Sequence, residues 1–583
     1  MSALGLKTPI IMIECKRVQI FLVYQLKRIV MEADDMVVKI TDNYLENKEE
    51  FASVDVKVPT YDSEVVTAKA LEAPRWVHFG GGNLFRAFHA SIASHLIDAG
   101  ELDSGVIVAD THDSAVIDLV YNKYNNRMLR VITKADGTQE RELFASVAEA
   151  LFAGPSEDRS GFEKLKEVFK KDSLQLVTFS ITEKGYVLKD PSGNFFGGVQ
   201  EDIDNGPANP GNGMAILVAL MLERFQNGAA PLTLLSTDNF SQNGDKLKDS
   251  VLTIAKEWEK KGYVGQAFID YLSDDSKVAF PLSMIDRITP APSAKIEADL
   301  EAAGIEECKI TKTARGTNVA PFVNTEEAHY LVVEDKFPNG RPKFEKFGMI
   351  LTDRDTVNLA DEMKVTNCLN PLHTALAVYG TILGFDSIAS EMKDADLVGL
   401  IKQIGYVEGL PVVKDPKVLN PKAFIDELVQ KRLPNPYIPD TPQRIATDTS
   451  QKLAIRYGVT IKHYVDDPDR DPSQLNFIPL VIATWLRYLM GINDEGEQFE
   501  TSPDPLWDTL HGAVAGIKFG DADQDVHEAV KGILSNKTIF GVDLYEVGLG
   551  DKVEADFKEM LAGKGTIRKV LEDKLAQFSK SVD

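Results

Sequence analysis

WVHFGGGNLFRAFHASIASHLIDAG (76–100) runs from an apolar tetrapeptide through three consecutive glycines into a segment with apolar residues at helical spacing, which stops at Gly100. That order predicts a buried strand, a tight glycine turn and a helix. GVIVAD (105–110) supplies a second apolar strand, and SAVIDLVYNKY (114–124) a second helix. LQLVTFSIT (174–182), a helix rich in Ala, Leu and Met over 213–226, and PLTLLSTDN (231–239) continue the alternation. Strands alternating with helices point to a parallel sheet covered on both faces, so the fold class is α/β with a Rossmann-like, doubly wound sheet. SMIDRITP (283–290) and HYLVVED (329–335) read as later strands.

From about residue 350 the texture becomes helical. NPLHTALAVYGTILGF (370–385), PKAFIDELVQKRL (421–433), LNFIPLVIATWLRYLMGI (475–492) and the tail 552–577 all fit helices. The stretch 475–492 is apolar nearly all round, the signature of the buried centre of a bundle. Residues 32–73 are acidic and weakly periodic, with one short helix near 43–51. The division is therefore 1–73 as a partly disordered extension, 74–350 as a Rossmann-like dinucleotide-binding domain, and 351–583 as an all-α substrate and catalytic domain. VQIFLVY (18–24) is apolar between basic flanks, but it is too short to span a membrane and no small-residue cleavage site follows it. Met31 and Met36 are alternative starts.

A chain of 583 residues exceeds the size of one hydrophobic core, in keeping with two large domains. The balance of 64 Lys and Arg against 89 Asp and Glu gives a net charge of -25, which repels phosphate backbones and anionic membrane surfaces. Nucleic acid and membranes are not expected partners. The three cysteines, Cys15, Cys308 and Cys368, are far apart and form no ligand spacing, so a reducing, cytoplasmic setting and no metal are expected.

A dinucleotide site needs a strand, a glycine turn and a helix N-terminus whose free N–H groups face the pyrophosphate. Gly80 and Gly82 sit where that geometry demands, with Asn83 opening the helix, although the third fingerprint position is Phe85. Taken alone, the turn fits a structural role equally well. Asp110 ends the second strand, where a carboxylate accepts from adenosine ribose hydroxyls and repels a 2′-phosphate, favouring NAD over NADP. It lies thirty residues beyond Gly80, further than usual, and capping a loop with Thr111 is its alternative role.

Polar residues concentrate at strand ends and near the domain boundary: Asp238 and Asn239 in STDNFSQNG (236–244), Asp286 and Arg287 in SMIDRITP, and Lys364, Asn370 and His373 in KVTNCLNPLH (364–373). Here the sequence resembles the mannitol dehydrogenase family of polyol-specific long-chain dehydrogenases, through HFGGGNLFRAFH, TFSITEKGY (178–186), STDNFSQNG, SMIDRITP, VVEDKFPNGRP (332–342) and NCLNPLHTALAVYG, in order over about 75–465. NCLNPLHTALAVYG looks closer to the fructuronate-reductase-like members.

The resemblance implies a metal-independent dehydrogenase in which a lysine is the general base and two asparagines donate to the developing oxyanion. It assigns Asn239 and Asn370 as those donors and His373 to substrate orientation. Asp286 falls near the nicotinamide or substrate, and Arg444 and Lys452 in TPQRIATDTSQK match basic residues of the substrate pocket. The family's lysine stands five residues before the asparagine, where this chain has Val365; Lys364 stands six before. On an unbroken α-helix that offset rotates a side chain by about 100°. Asn370-Pro371 reads as a helix start, placing Lys364 outside the helix in chain that can bulge by one residue. Lys364 is the candidate base and Lys184, in TEKGY, the reserve.

Each residue also has a structural alternative. Asn370 can cap its helix, His373 can satisfy a buried carbonyl, Asp286 and Arg287 can pair internally, and Arg444 and Lys452 can be solvated charges. The functional expectation is an NAD-dependent dehydrogenase, a monomer or small homo-oligomer, interconverting D-mannonate and D-fructuronate. The alternatives are a mannitol 2-dehydrogenase and an inactive dinucleotide-binding sensor.

Overall fold

A computed structural model describes residues 37–582. The apolar run at 18–24, Cys15 and the alternative starts Met31 and Met36 lie outside the described residues. Six strands form the main sheet: β1 (Trp76–Phe79), β2 (Val106–Asp110), β3 (Val147–Phe152), β4 (Leu176–Phe179), β5 (Leu232–Ser236) and β6 (Val278–Ala279). Every pairing is parallel and the spatial order is 3-2-1-4-5-6, the doubly wound arrangement with its switch point between β1 and β4. Side chains alternate between two buried faces, as the period of a strand requires. Val77, Phe79, Ile107 and Ala109 pack beneath helix Gly213–Gln226, while Trp76, Val106 and Val108 pack beneath the helix ending Ala90–Asp98.

SMIDRITP and HYLVVED form strands, but not in that sheet. β7 (Ser283–Asp286) pairs antiparallel with β8 (Tyr330–Glu334), which pairs parallel with β9 (Met349–Thr352). This small sheet stands between the Rossmann sheet and the helices, so β7 delivers its carboxyl end to the domain junction.

Residues 37–73, read as part of an extension, are built into the fold. Val38, Tyr44, Phe51, Val54 and Val56 are buried against Leu129, Val131, Leu143 and Phe322. Val56–Lys57 extends the hairpin formed by Met128–Thr133 and Gln139–Phe144, and Val38–Lys39 pairs with Ile305–Glu306. Two-residue strands carry no readable period, and their burial depends on partners far along the chain.

After β9, α1 (Arg354–Glu362) leads through a π-helical turn, Met363–Cys368, into α2 (Asn370–Leu383). Every residue of α3 (Phe477–Leu489) is buried, Thr484 and Arg487 included, as its nearly all-round apolar character predicts. The N-terminal N–H groups of α3 need acceptors in that dry setting. The buried Glu408 carboxylate takes three of them, from Asn476 (2.6 Å), Phe477 (2.8 Å) and Ile478 (2.8 Å).

One buried carboxyl lacks such partners. Glu391 packs against Gly380 of α2, where a Cβ would come within 2.0 Å of Glu391 Oε1, and neither of its oxygens has a hydrogen-bond partner. Burial, reinforced by Asp440 and Asp394, pushes Glu391 up to about 9 from an ordinary 4.5. Between those values the folded chain holds a proton that the unfolded chain releases. This carboxyl therefore contributes stability below about 4.5 that is lost as pH rises toward 9. Glu391→Gln should flatten that decline: thermal midpoints of the two proteins should diverge, in favour of the variant, from pH 5 to pH 8.5. Parallel curves would show that Glu391 is ionised in the fold.

Candidate active site

The carboxyl ends of the strands carry the chemistry, as expected for an open α/β sheet. After β1, Gly80 adopts φ +107°, and a Cβ there would come within 2.2 Å of the Ser180 carbonyl oxygen beyond β4. The turn thus needs glycine to close the switch point. Gly82 is exposed, a Cβ there would meet nothing within 4 Å, and the helix begins at the next residue. Asp110 does two things at once. Its Oδ2 accepts from the Gly81 N–H at 3.1 Å, and its Oδ1 accepts from His112 (2.8 Å) and Asp113 (3.0 Å). The loop-capping role is real, and the same bonds hold the carboxylate beside the glycine turn. Asn83 is tied inward, donating to the Pro290 carbonyl (2.8 Å) and accepting from Arg86 (2.7 Å).

Asp238 shapes the end of β5. Its carboxylate accepts from the backbone N–H groups of Ile181 (3.0 Å) and Thr182 (2.8 Å) and from the Tyr186 hydroxyl (2.6 Å), locking the TEKGY turn. Lys184 in that turn is exposed; neither it nor Lys364 is among the residues lining the cavity described below, but Lys364 is hydrogen-bonded to one that is. Asn239, the next residue, meets Lys364: Lys364 Nζ donates to Asn239 Oδ1 at 2.7 Å and to the Ile285 carbonyl of β7 at 3.0 Å, with Asp361 Oδ1 at 3.6 Å. An amine in its ammonium form has only donors, so it must face the amide oxygen. That contact turns the Asn239 NH2 group away from the lysine.

Lys364 is not outside a helix, as the Asn370-Pro371 start implied. It lies in the π-helical turn, where the Leu369 N–H donates to the Lys364 carbonyl five residues back (3.0 Å). A π turn holds one residue more than an α turn. It absorbs the extra residue between Lys364 and Asn370 without leaving the helical path. Leu369, not Asn370, occupies the cap position of α2, so this helix start has no side-chain cap hydrogen bond.

Asn239, Asn370 and His373 together line a cavity of about 260 Å³ between the domains, with Asp286, Arg432, Asp440, Arg444, Lys452 and Arg456 on its other walls. Burial lowers His373 to about 4 against the pull of Asp440, whose Oδ2 lies 3.5 Å from His373 Nε2. The imidazole is thus neutral at physiological pH. Arg444 pairs with Asp440 at 2.6 Å, and Lys452 donates to the carbonyls of Thr447 and Ile445.

The structural alternative for Asp286, an internal pair with Arg287, does not form. Arg287 turns to Thr325 Oγ1 (3.0 Å) and the Glu326 carbonyl (3.3 Å). Asp286 is gripped instead by Arg432, whose terminal nitrogens lie 2.6 and 2.9 Å from its two oxygens. The Nε and a terminal nitrogen of Arg432 also reach Glu326, at 2.8 and 2.9 Å. Burial disfavours the Asp286 charge, yet Arg432 outweighs burial and holds the carboxyl below its ordinary range. Arg432, Asp440 and Arg456 were not identified from the sequence. The spacing of Asp440 four residues before Arg444 is the one local signal that pointed to any of them; Arg432 reads as an ordinary charge near the end of a helix.

The family model described as the mannitol dehydrogenase Rossmann domain matches residues 74–346, and the one described as the mannitol dehydrogenase C-terminal domain matches 357–561. The chain belongs to the mannitol dehydrogenase family. It is an oxidoreductase. Among its relatives is the D-mannonate oxidoreductase of Thermotoga maritima, 51% identical over 91% of this chain and 97% of that protein. The polyol:NADP oxidoreductase of Gluconobacter oxydans is 26% identical over 77% and 85% of the two chains. Pseudomonas fluorescens mannitol 2-dehydrogenase, solved as a ternary complex with NAD and D-mannitol, shares the fold with a TM-score of 0.65 at 24% identity, covering 90% of this chain and 97% of that one. Among the described residues no helix is long and apolar enough to cross a membrane.

Removing Arg432 strands two buried carboxylates. Arg432→Met should cost on the order of 3–5 kcal/mol of stability, read as a large fall in the thermal midpoint. The triple variant with Asp286→Asn and Glu326→Gln should recover most of it. A single variant as stable as the wild type would show that the cluster is not the desolvated clamp described.

Proposed function

We propose that this dehydrogenase interconverts D-mannonate and D-fructuronate with NAD, acting in the cytoplasm as a monomer or small homo-oligomer. The observation that carries the chemistry is the Lys364–Asn239 contact of 2.7 Å at the edge of a cavity that Asn239, Asn370 and His373 line. The choice of substrate is supported by the 51% identity to a D-mannonate oxidoreductase.

The exposed Gly82, with open space where a Cβ would stand and a helix N-terminus directly behind it, fits a pyrophosphate. Gly80, Gly82 and Asp110 would hold the dinucleotide, with Asp110 facing the ribose. NAD supplies the hydride acceptor when bound. In alcohol oxidation the uncharged amine of Lys364, its two N–H groups donating to Asn239 and Ile285, takes the hydroxyl proton on its lone pair, while the side-chain NH2 groups of Asn239 and Asn370 donate to the oxygen as negative charge develops on it. The neutral His373 ring, which lies beside Asp440, hydrogen-bonds substrate without adding a charge to the site. Asp286, already neutralised by Arg432, keeps the floor of the site fixed rather than serving as an acid.

Side-by-side assays of NADH oxidation test the substrate. D-fructuronate should give a higher kcat/KM than D-tagaturonate or D-fructose. Preference for fructose would make the protein a mannitol 2-dehydrogenase, and stoichiometric NADH binding without turnover would make it a sensor. Lys364→Ala should lower turnover by about 10² to 10⁴ with NADH affinity retained, and Lys364→Arg should not rescue it because a guanidinium does not give up its proton. Asp110→Ala should weaken NAD binding and relax discrimination against NADP; a wild-type preference for NADP would remove Asp110 from the ribose.

A further inference from the structure

The cations of the cavity are not equally neutralised. Arg432 meets Asp286 and Glu326, and Arg444 meets Asp440. Lys452 and Arg456 have no carboxylate within ion-pair distance among the described residues; Lys452 spends hydrogen bonds on backbone carbonyls, and Arg456 donates one to the Thr374 hydroxyl (2.5 Å). Both are only partly exposed, and burial lowers Arg456 to about 10. A guanidinium has five N–H donors, and one of these is used here. A half-buried arginine facing a cavity without a counter-charge is costly unless an anion arrives.

Thr374 decides where that anion would sit. Its hydroxyl accepts from Arg456 and donates to the Asn370 carbonyl at 2.9 Å, one residue from His373. Arg456 is thereby fastened to the same turn of α2 that carries Asn370 and His373, so its guanidinium keeps a set distance from those two residues. Neither D-mannitol nor D-fructose has an anionic group for it. D-mannonate carries a carboxylate at one end of its chain, removed from the secondary alcohol that is oxidised.

We propose that Arg456, assisted by Lys452, binds the substrate carboxylate and is the residue by which this site selects a sugar acid over the corresponding neutral polyol. The inference rests on the substrate reading above and adds its physical basis. Planar guanidinium and carboxylate match in two parallel hydrogen bonds, which fix orientation as well as charge. With the acid end held, the chain of the substrate is measured from that end, and one particular hydroxyl is presented to Lys364 and Asn239.

Binding to the NADH-saturated enzyme separates this from turnover, because NADH and D-mannonate are both reduced and cannot react. By calorimetry, the wild type should bind D-mannonate at least tenfold more tightly than D-mannitol. Arg456→Gln should erase most of that ratio, and Arg456→Lys should restore part of it. Thr374→Val, which removes only the orienting hydroxyl, should weaken D-mannonate binding by a smaller factor. In turnover, the loss in Arg456→Gln should fall on KM for D-fructuronate by about 10²-fold, with kcat within severalfold. Two results would overturn the proposal: equal wild-type affinity for acid and polyol, or an unchanged ratio in Arg456→Gln, whether both ligands are weakened equally or neither is. Should the wild type hold D-mannonate tightly yet fail to reduce D-fructuronate, the reaction assigned above would fall while the carboxylate site stands.

Discussion

Arg432 is the point on which both halves of the molecule converge. Its guanidinium leaves the helical domain and is gripped by Asp286 at the end of β7 and by Glu326, all three side chains almost completely buried. Such a cluster is no simple gain in stability, because desolvating three charges offsets much of their attraction. What it contributes is placement. A misregistered interface would leave charges buried without partners, and that penalty excludes near-native arrangements more sharply than apolar packing does. Ile285, the residue before Asp286, offers the carbonyl that receives Lys364 Nζ. The clamp therefore sets the height of β7 against the π-helical turn.

From that fixed edge the site is assembled by short-range rules. Two residues past β5 stands Asp238, whose three hydrogen bonds hold the neighbouring turn and leave Asn239 projecting toward the helices. The π-helical turn brings Lys364 to Asn239 despite the extra residue before Asn370. Lysine can only donate in its charged form, so the amide has one sensible orientation, with its NH2 group free for a ligand oxygen. The positions of base and oxyanion donor are thus coupled: what steadies one aims the other. His373 completes the set as a neutral ring, since burial outweighs the nearby Asp440.

The dinucleotide end obeys a different constraint, that of close backbone approach. Gly80 lets the chain leaving β1 pass close to the end of β4, with a carbonyl oxygen where any side chain would stand. Asp110 links the turn to the next loop through backbone N–H groups alone. Two readings of Asp110 that compete in the sequence, loop cap and ribose acceptor, are compatible in space, because a carboxylate has more than three acceptor positions and the cap leaves it half exposed.

By itself the sequence determined the elements whose signal is local. The buried strands, the helix at 213–226, the glycine turn and the helix within 475–492, apolar nearly all round, follow from periodicity and from what a glycine or a largely apolar run permits. The ordered motifs likewise determined the family, and singled out Asn239, Asn370 and His373, which the fold brings to one cavity. Only the tertiary structure decided what depends on partners remote in the chain. Residues 37–73 acquire order from a hairpin some eighty residues later, β7 and β8 leave the main sheet for one of their own, and Glu408 caps a helix nearly seventy residues on. Lys364 needed the π turn, which no propensity announces, to meet Asn239. Arg432 and Arg456 look alike in sequence, two basic residues near helix ends. One is neutralised by two carboxylates and the other by none, and the difference lies in the fold because charge is compensated through space.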